Sequence, residues 1–178
     1  MSPLTYAAFT AAAPTIATPI REKLAVTGVA LLGTIRKDGS PRISPIETMF
    51  HGDGMYLGMM PQSVKALDLR RDGRFTLLTP VADKEDIAGE GKLFGTAVEV
   101  TDPETMTRIF GAAFESSEFT LEDIAGSHLF ELRITSAAWQ HVDVQAETWN
   151  TTSWSVDGGL RQRRRVGGNG LSEDVPLG

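Results

Sequence analysis

Short β-competent runs divided by tight-turn signals fill residues 29–60, and they limit the possible folds more than any other feature. VALLGTIR (29–36) is apolar, and Asp38-Gly39 separates it from PRISPIETMF (41–50). An Asp-Gly pair between two such runs is a strong hairpin signal. Asp53-Gly54 then divides the second run from MYLGMM (55–60). The spacing predicts a three-stranded meander. In the middle strand, Ile43, Pro45 and Glu47 fall on one face, and Arg42, Ser44, Ile46 and Thr48 on the other.

The rest of the chain supplies helices and more strands. QSVKALDLRRDGR (62–74) reads as a short helix, with Ser63 as N-cap, Leu67 and Leu69 as its buried pair and Gly73 closing it. RFTLLTPV (74–81) and KLFGTAVEVT (92–101) are strands on either side of an acidic loop, 82–91. Gly95 inside the second marks a bulge or a close backbone approach. Asp102-Pro103-Glu104 starts a helix over 103–115. HLFELRIT (128–135) and AAWQHVDV (137–144) read as two further strands. Residues 1–27 favour helix, punctuated by Pro14 and Pro19. The expected organisation is a helical segment 1–28, a β domain 29–144, and a C-terminal arm with a mobile tail, 145–178. There is no βαβ rhythm and no internal repeat. The fold class expected is therefore mainly β with peripheral helices, built as a small antiparallel barrel.

Composition removes several function classes. A chain of 178 residues is about one domain. Its net charge of −6 makes it a poor general nucleic-acid binder. With no cysteine, disulfides, zinc–thiolate sites, iron–sulfur clusters and a cysteine nucleophile are excluded. Only three histidines are present, so no metal site is expected. No apolar run approaches the ~18 residues a membrane span needs. The N-terminus lacks the basic region of a signal peptide, so the expected location is the cytoplasm, with no membrane partner.

One constellation suggests chemistry. Arg42 on a strand, Ser63 at a helix start and Lys65 in the first helical turn can converge on one phosphate. Arg offers a bidentate fork, Lys a point charge, and the helix start free N–H groups. Ser44, Pro45, Gly58 and Met59 can line a flat ring through main-chain contacts. The competing reading of Arg42 and Lys65 as ordinary solvated charges stays open on spacing alone.

The succession LLGTIRKDGSPRISPI, DGMYLGMMPQSVKALDLRRDGRFTLLT, GKLFGTAVEVTDPE and HLFELRITSAAW resembles the pyridoxamine 5′-phosphate oxidase-like superfamily over roughly residues 20–142. The resemblance implies a six-stranded antiparallel split β-barrel of the FMN-binding type. It also implies a homodimer with two cofactor sites at the subunit interface, holding FMN or, in one branch, the deazaflavin coenzyme F420. Carried over, the family's cofactor contacts fall on Arg42, Ile43, Ser44 and Pro45, on Gly58, Met59 and Met60, and on Ser63 and Lys65. Lys92 and Gly95 fall where the family approaches the ring from the neighbouring barrel. The family's Ser-Arg-Lys phosphate grip reads Ser63-Val64-Lys65 here, a departure that removes one charge-assisted contact. The C-terminal stretch AETWNTTSWSVDGGLRQRRR does not match the oxidase's own substrate residues, so pyridoxamine phosphate oxidation itself is not expected.

The remaining residues are less specific. Trp139 reads as core or interface, whereas Trp149 and Trp154 are candidates for a ligand lid. His51, His128 and His141 have no metal-ligand spacing. Arg161, Arg163, Arg164 and Arg165 form a basic arm, read as solvated or as steering an anionic cofactor tail. No acid–base pair is spaced for hydrolysis, so no catalytic side chain is assigned. The expected activity is hydride transfer between a flavin and an unidentified small substrate. The alternatives are an F420-dependent reductase and a non-enzymatic barrel that binds flavin or haem.

Overall fold

The computed structural model describes residues 2–81, 89–114, 120, 122–166 and 172–175. Residues 82–88 of the acidic loop, and residues 167–171 and 176–178 of the expected tail, lie outside them. The helical N-terminus forms α1 (Tyr6–Ala12) and α2 (Pro14–Thr27). The Thr5 side chain caps α1 by accepting from the Ala8 N–H at 3.3 Å. Pro14 opens α2, where a missing N–H costs nothing. Pro19 stands inside α2 and does not interrupt it. Burial of Ile16, Ala17, Ile20 and Leu24 outweighs the one backbone bond it removes.

β1 (Ala30–Ile35) and β2 (Pro41–Ile46) form the first hairpin. Its turn is closed by Arg36 N–H donating to the Ser40 carbonyl at 2.8 Å, and Asp38 accepts from the Ser40 N–H and hydroxyl. The expected meander stops there. The run 41–50 breaks after Ile46, and β3 (Met49–His51) pairs with β4 (Gly54–Met59). Ile46 and Phe50 pack on the main core and Met49 on a separate apolar cluster, as alternation dictates, while Glu47 and Thr48 are left out of any ladder.

After α3 (Val64–Arg71) come β5 (Arg74–Leu78), β6 (Glu90–Val100), α4 (Pro103–Ala113), β7 (His128–Asp143), β8 (Thr148–Ser155), β9 (Gly159–Val166) and β10 (Ser172–Val175). Asp102 caps α4 by accepting from the Thr105 N–H at 2.8 Å. The sheet runs β10-β9-β8-β7-β6-β5-β1-β2, and β4 joins it on β7. Strands β2, β1, β5, β6, β7 and β4 enclose the main core. β2 and β4 share no ladder, and that seam splits the barrel.

The two strands expected over 128–144 are one 16-residue strand, β7. One edge pairs with β6 from Leu129 to Gln140. The other edge changes partner, from β4 over His128–Glu131 to β8 over Ser136–Asp143. Between them, Leu4 exchanges two 2.8 Å backbone hydrogen bonds with Ile134, and Val156 donates to the Thr135 carbonyl. The β6 register shifts between Phe94 and Gly95 opposite this point. A Cβ at Gly95 would lie 1.9 Å from the Arg133 carbonyl oxygen, so the expected close approach is present there.

Phe9, Ile16 and Ile20 from the helices meet Leu32, Leu57, Leu77, Leu93 and Leu132 from the strands in the main core. Each such fully buried side chain contributes roughly 1.5–3 kcal/mol. Trp154 joins them, its ring centroid 5.3 Å from that of Phe9, which removes it as a lid; Trp139 is buried as expected. Trp149 is exposed. A smaller cluster of Ile109, Phe110, Ile124 and Leu129 seats α4 on the outside of β3 and β4. Among the described residues no helix is long and apolar enough to cross a membrane.

Candidate functional site

β2 is the last strand of the sheet order, and alternation divides its side chains. Arg42 and Ser44 are half-buried and Ile46 is buried, while Ile43 is 74% exposed. α3 lies beside it because three of its side chains reach back. Lys65 Nζ donates to the Pro45 carbonyl at 2.8 Å. Asp68 Oδ2 accepts from Arg42 Nε at 2.7 Å and from the Thr34 hydroxyl at 3.1 Å. Arg71 donates to Asp68 Oδ1 at 3.3 Å and also to the Ile35 carbonyl. These side chains recur at every third position along α3.

This strapping corrects the helix reading. Asp68 is buried and Leu67 is 48% exposed, because a carboxylate with three polar partners takes the inward position. Leu69 is buried as expected. Burial pushes the Asp68 carboxyl up, but the hydrogen bonds from Arg42, Thr34 and Arg71 outweigh it and hold it below its ordinary value of 3.8. Burial pulls the Lys65 ammonium below its ordinary 10.5. The Ser63 side chain makes no cap bond, and the helix ends at Arg71 with Asp72 rather than Gly73 as its cap. The chain enters α3 through Gln62 at φ 58°, a left-handed conformation uncommon for a side-chain-bearing residue.

Arg42 and Lys65 thus lie along one rim, where β2 meets α3, and Ser63 stands immediately before the helix. Exposed Ile43, Met60 (79%) and Val64 (56%) flank it. Beyond Arg42 the rim opens into a cleft of about 660 Å³ lined also by Arg36, Lys37 and Arg71 and by the carboxylates of Asp38 and Asp68. Gly58, Met59 and Met60 do not share a face. Met59 points into the core, Met60 into solvent. Gly58 lies under α4, where a Cβ would fall 2.7 Å from Phe110 Cε1 and 2.9 Å from Met49 Cε. Lys92 is not brought to the rim within one chain. It pairs with Glu90 at 2.5 Å on β6, and β5 and β1 separate it from β2.

Sequence reasoning missed two groups. The first is Asp68, whose signal was an acid three residues before Arg71 on a helix already carrying Lys65. The second is Glu99, which takes both oxygens to Arg70 Nε at 2.8 Å and one to His128 Nδ1 at 3.3 Å. Arg70 chiefly, against burial and with His128, holds the Glu99 carboxyl below its ordinary 4.5. No local pattern announces a pairing 29 residues apart. Among the described residues no three His, Asp or Glu side chains are grouped to hold a metal ion.

A barrel closed on five ladders and open at one seam, with a cationic rim on the seam's outer strand, defines an antiparallel split-barrel protein. The chain belongs to the pyridoxamine 5′-phosphate oxidase family, whose sequence profile matches residues 17–141. No curated protein matches the sequence significantly. Among solved structures, a conserved protein from Mycobacterium tuberculosis is similar at 20% identity and a TM-score of 0.57, over 67% of this chain and 81% of that one. A protein from Clostridium acetobutylicum related to general stress protein 26, of the pyridoxine phosphate oxidase family, matches at 12% identity and 0.57, over 77% and 92%. The haem storage protein HutZ from Vibrio cholerae matches at 16% and 0.54, over 67% and 89%. At these identities the likeness is one of fold.

Proposed function

We propose that the chain is an FMN-binding oxidoreductase that works as a homodimer, with the β2–α3 rim of each barrel forming half of a cofactor site. The family typically binds a flavin and is often dimeric. The observation that carries the reading is the pair of contacts, Arg42 to Asp68 and Lys65 to the Pro45 carbonyl, that fix two cations where β2 and α3 meet, with Ser63 immediately before the helix.

The residues present fit a phosphate-bearing flavin. Arg42 spends Nε on Asp68, which aims the guanidinium while leaving its terminal nitrogens to donate. Lys65 is positioned by the Pro45 carbonyl, and the Ser63 hydroxyl is not used as a helix cap. Ile43, Ser44, Pro45 and Met60 offer main chain and apolar surface to a ring. Gly58 and Met59 act from behind by shaping the end of β4. Lys92 would come from the partner's barrel. When bound, the flavin supplies hydride transfer. The protein's part is to grip the phosphate, orient the ring and exclude water through the partner chain, which would cover exposed Ile43 and Met60.

A specific observation favours a second reading, an F420-type deazaflavin reductase. Val64 is exposed where the family grip has Arg, and the 660 Å³ cleft beside it carries Arg36, Lys37 and Arg71. That cleft suits an anionic tail longer than one phosphate. The test is a parallel titration of the purified protein with FMN and with F420, followed by absorbance. Saturable FMN binding that weakens in Lys65→Ala and Arg42→Ala supports the first reading. F420 binding alone supports the second, and a protein that ignores both sinks the pair.

A further inference from the structure

A separate cavity of about 480 Å³ lies between β3, the end of β4 and α4. Its size is within the roughly 300–1,000 Å³ of small-molecule sites. We propose that it binds a planar aromatic molecule, neutral or cationic, that carries a hydrogen-bonding substituent.

Three observations select that class. Phe110 and Phe114 stand in its wall with rings only 10° from parallel and centroids 6.4 Å apart, which presents a flat aromatic surface. Met49 and Met60 border it on the β3 and β4 side, and thioethers adapt to ring edges. Among the described residues the charged groups of the lining are Glu47 and Asp123, and no Lys or Arg lines it. The cavity therefore disfavours phosphates and carboxylates, the opposite of the basic cleft beyond Arg42. His51 and Ser127 supply hydrogen bonding at its margin. Gly58 keeps the α4 side tight, since Phe110 and Met49 already fill the space of a Cβ.

The binding claim stands on the cavity alone. Its assignment as the substrate pocket rests on the flavin reading, because the cavity and the cofactor rim share Met60.

The experiment uses the full chain with methionine methyls labelled, titrated with 2-naphthol and with the anion 2-naphthoate. Saturable 2-naphthol binding is expected to shift the methyl signals of Met49 and Met60 and to leave buried Met55 unmoved. 2-Naphthoate should bind at least about tenfold more weakly. Ala113→Trp, at the lining end of α4, should abolish the 2-naphthol shifts. Absence of saturable binding, equal affinity for the anion, or shifts confined to other methyls overturns the proposal. The wild-type methyl map decides the matter even if Ala113→Trp does not fold. An FMN titration on the same samples separates the two ideas. 2-Naphthol binding at these methyls without FMN binding removes the cofactor reading and keeps the pocket, and the reverse removes the pocket alone.

Discussion

Arg42 Nε lies 2.7 Å from Asp68 Oδ2, so one buried carboxylate ties the outermost barrel strand to the middle of α3. Removing it strands two guanidinium groups that retain partial solvent access. Asp68→Ala should lower stability by about 1–3 kcal/mol. The midpoint of urea unfolding should fall with an unchanged slope. The same variant should weaken FMN binding, because Arg42 loses its anchor.

The carboxylates of Asp68 and Glu99 sit below their ordinary values of 3.8 and 4.5. The folded state therefore binds protons less readily than the unfolded chain there. Their stabilisation is present at neutral pH and is lost as pH falls through the ordinary values and on through the depressed ones. Urea midpoints measured between about pH 6 and about pH 3 should decline, and Asp68→Asn should decline less steeply. An equal decline in both proteins would contradict the assignment.

Val64 is more than half exposed at the rim, so a larger side chain costs little packing. Val64→Arg should restore a charge-assisted contact worth about 1.5–3 kcal/mol, tightening FMN by about tenfold or more. Lys65→Ala should weaken it by a similar factor. Fluorescence quenching of FMN measures both. No gain from Val64→Arg would favour the longer-tailed deazaflavin.

Gly95 has no room for a methyl group against the Arg133 carbonyl. Gly95→Ala should cost at least about 1–3 kcal/mol, because backbone rather than a flexible side chain must move. A melting-temperature scan would detect it.

Ile43 and Met60 are the most exposed apolar residues at the rim. In a dimer closed over this rim, Ile43→Asp should shift the protein towards monomer in sedimentation velocity and lower FMN affinity in parallel. A monomeric wild type would remove the shared-site geometry.

The parts of the fold that repeat a local rule were readable from the sequence. The Asp38-Gly39 hairpin, the Asp102-Pro103 helix start and the Gly95 irregularity each follow from residues within a few positions. Errors arose where distant packing decides. The run 41–50 pairs with β1 up to Ile46 and with β4 from Met49, so the expected strand is cut in two by its partners. Thr135 and Ser136 suggest a break, yet Leu4 and Val156 bond the backbone beside them and β7 runs through. The cations Arg42 and Lys65 were legible as residues. The buried position of Asp68 was not, because it depends on Thr34 and Arg42 from two strands distant in sequence.

The change of partner along β7 also affects how the chain tolerates shortening. Over Ser136–Asp143 every residue is paired to β8, while β6 holds most of that stretch from the other side. A chain cut after Asp143 would keep the barrel strands yet expose eight consecutive residues of bare ladder. Such an edge recruits other strands, so the shortened protein should self-associate rather than behave as a smaller barrel.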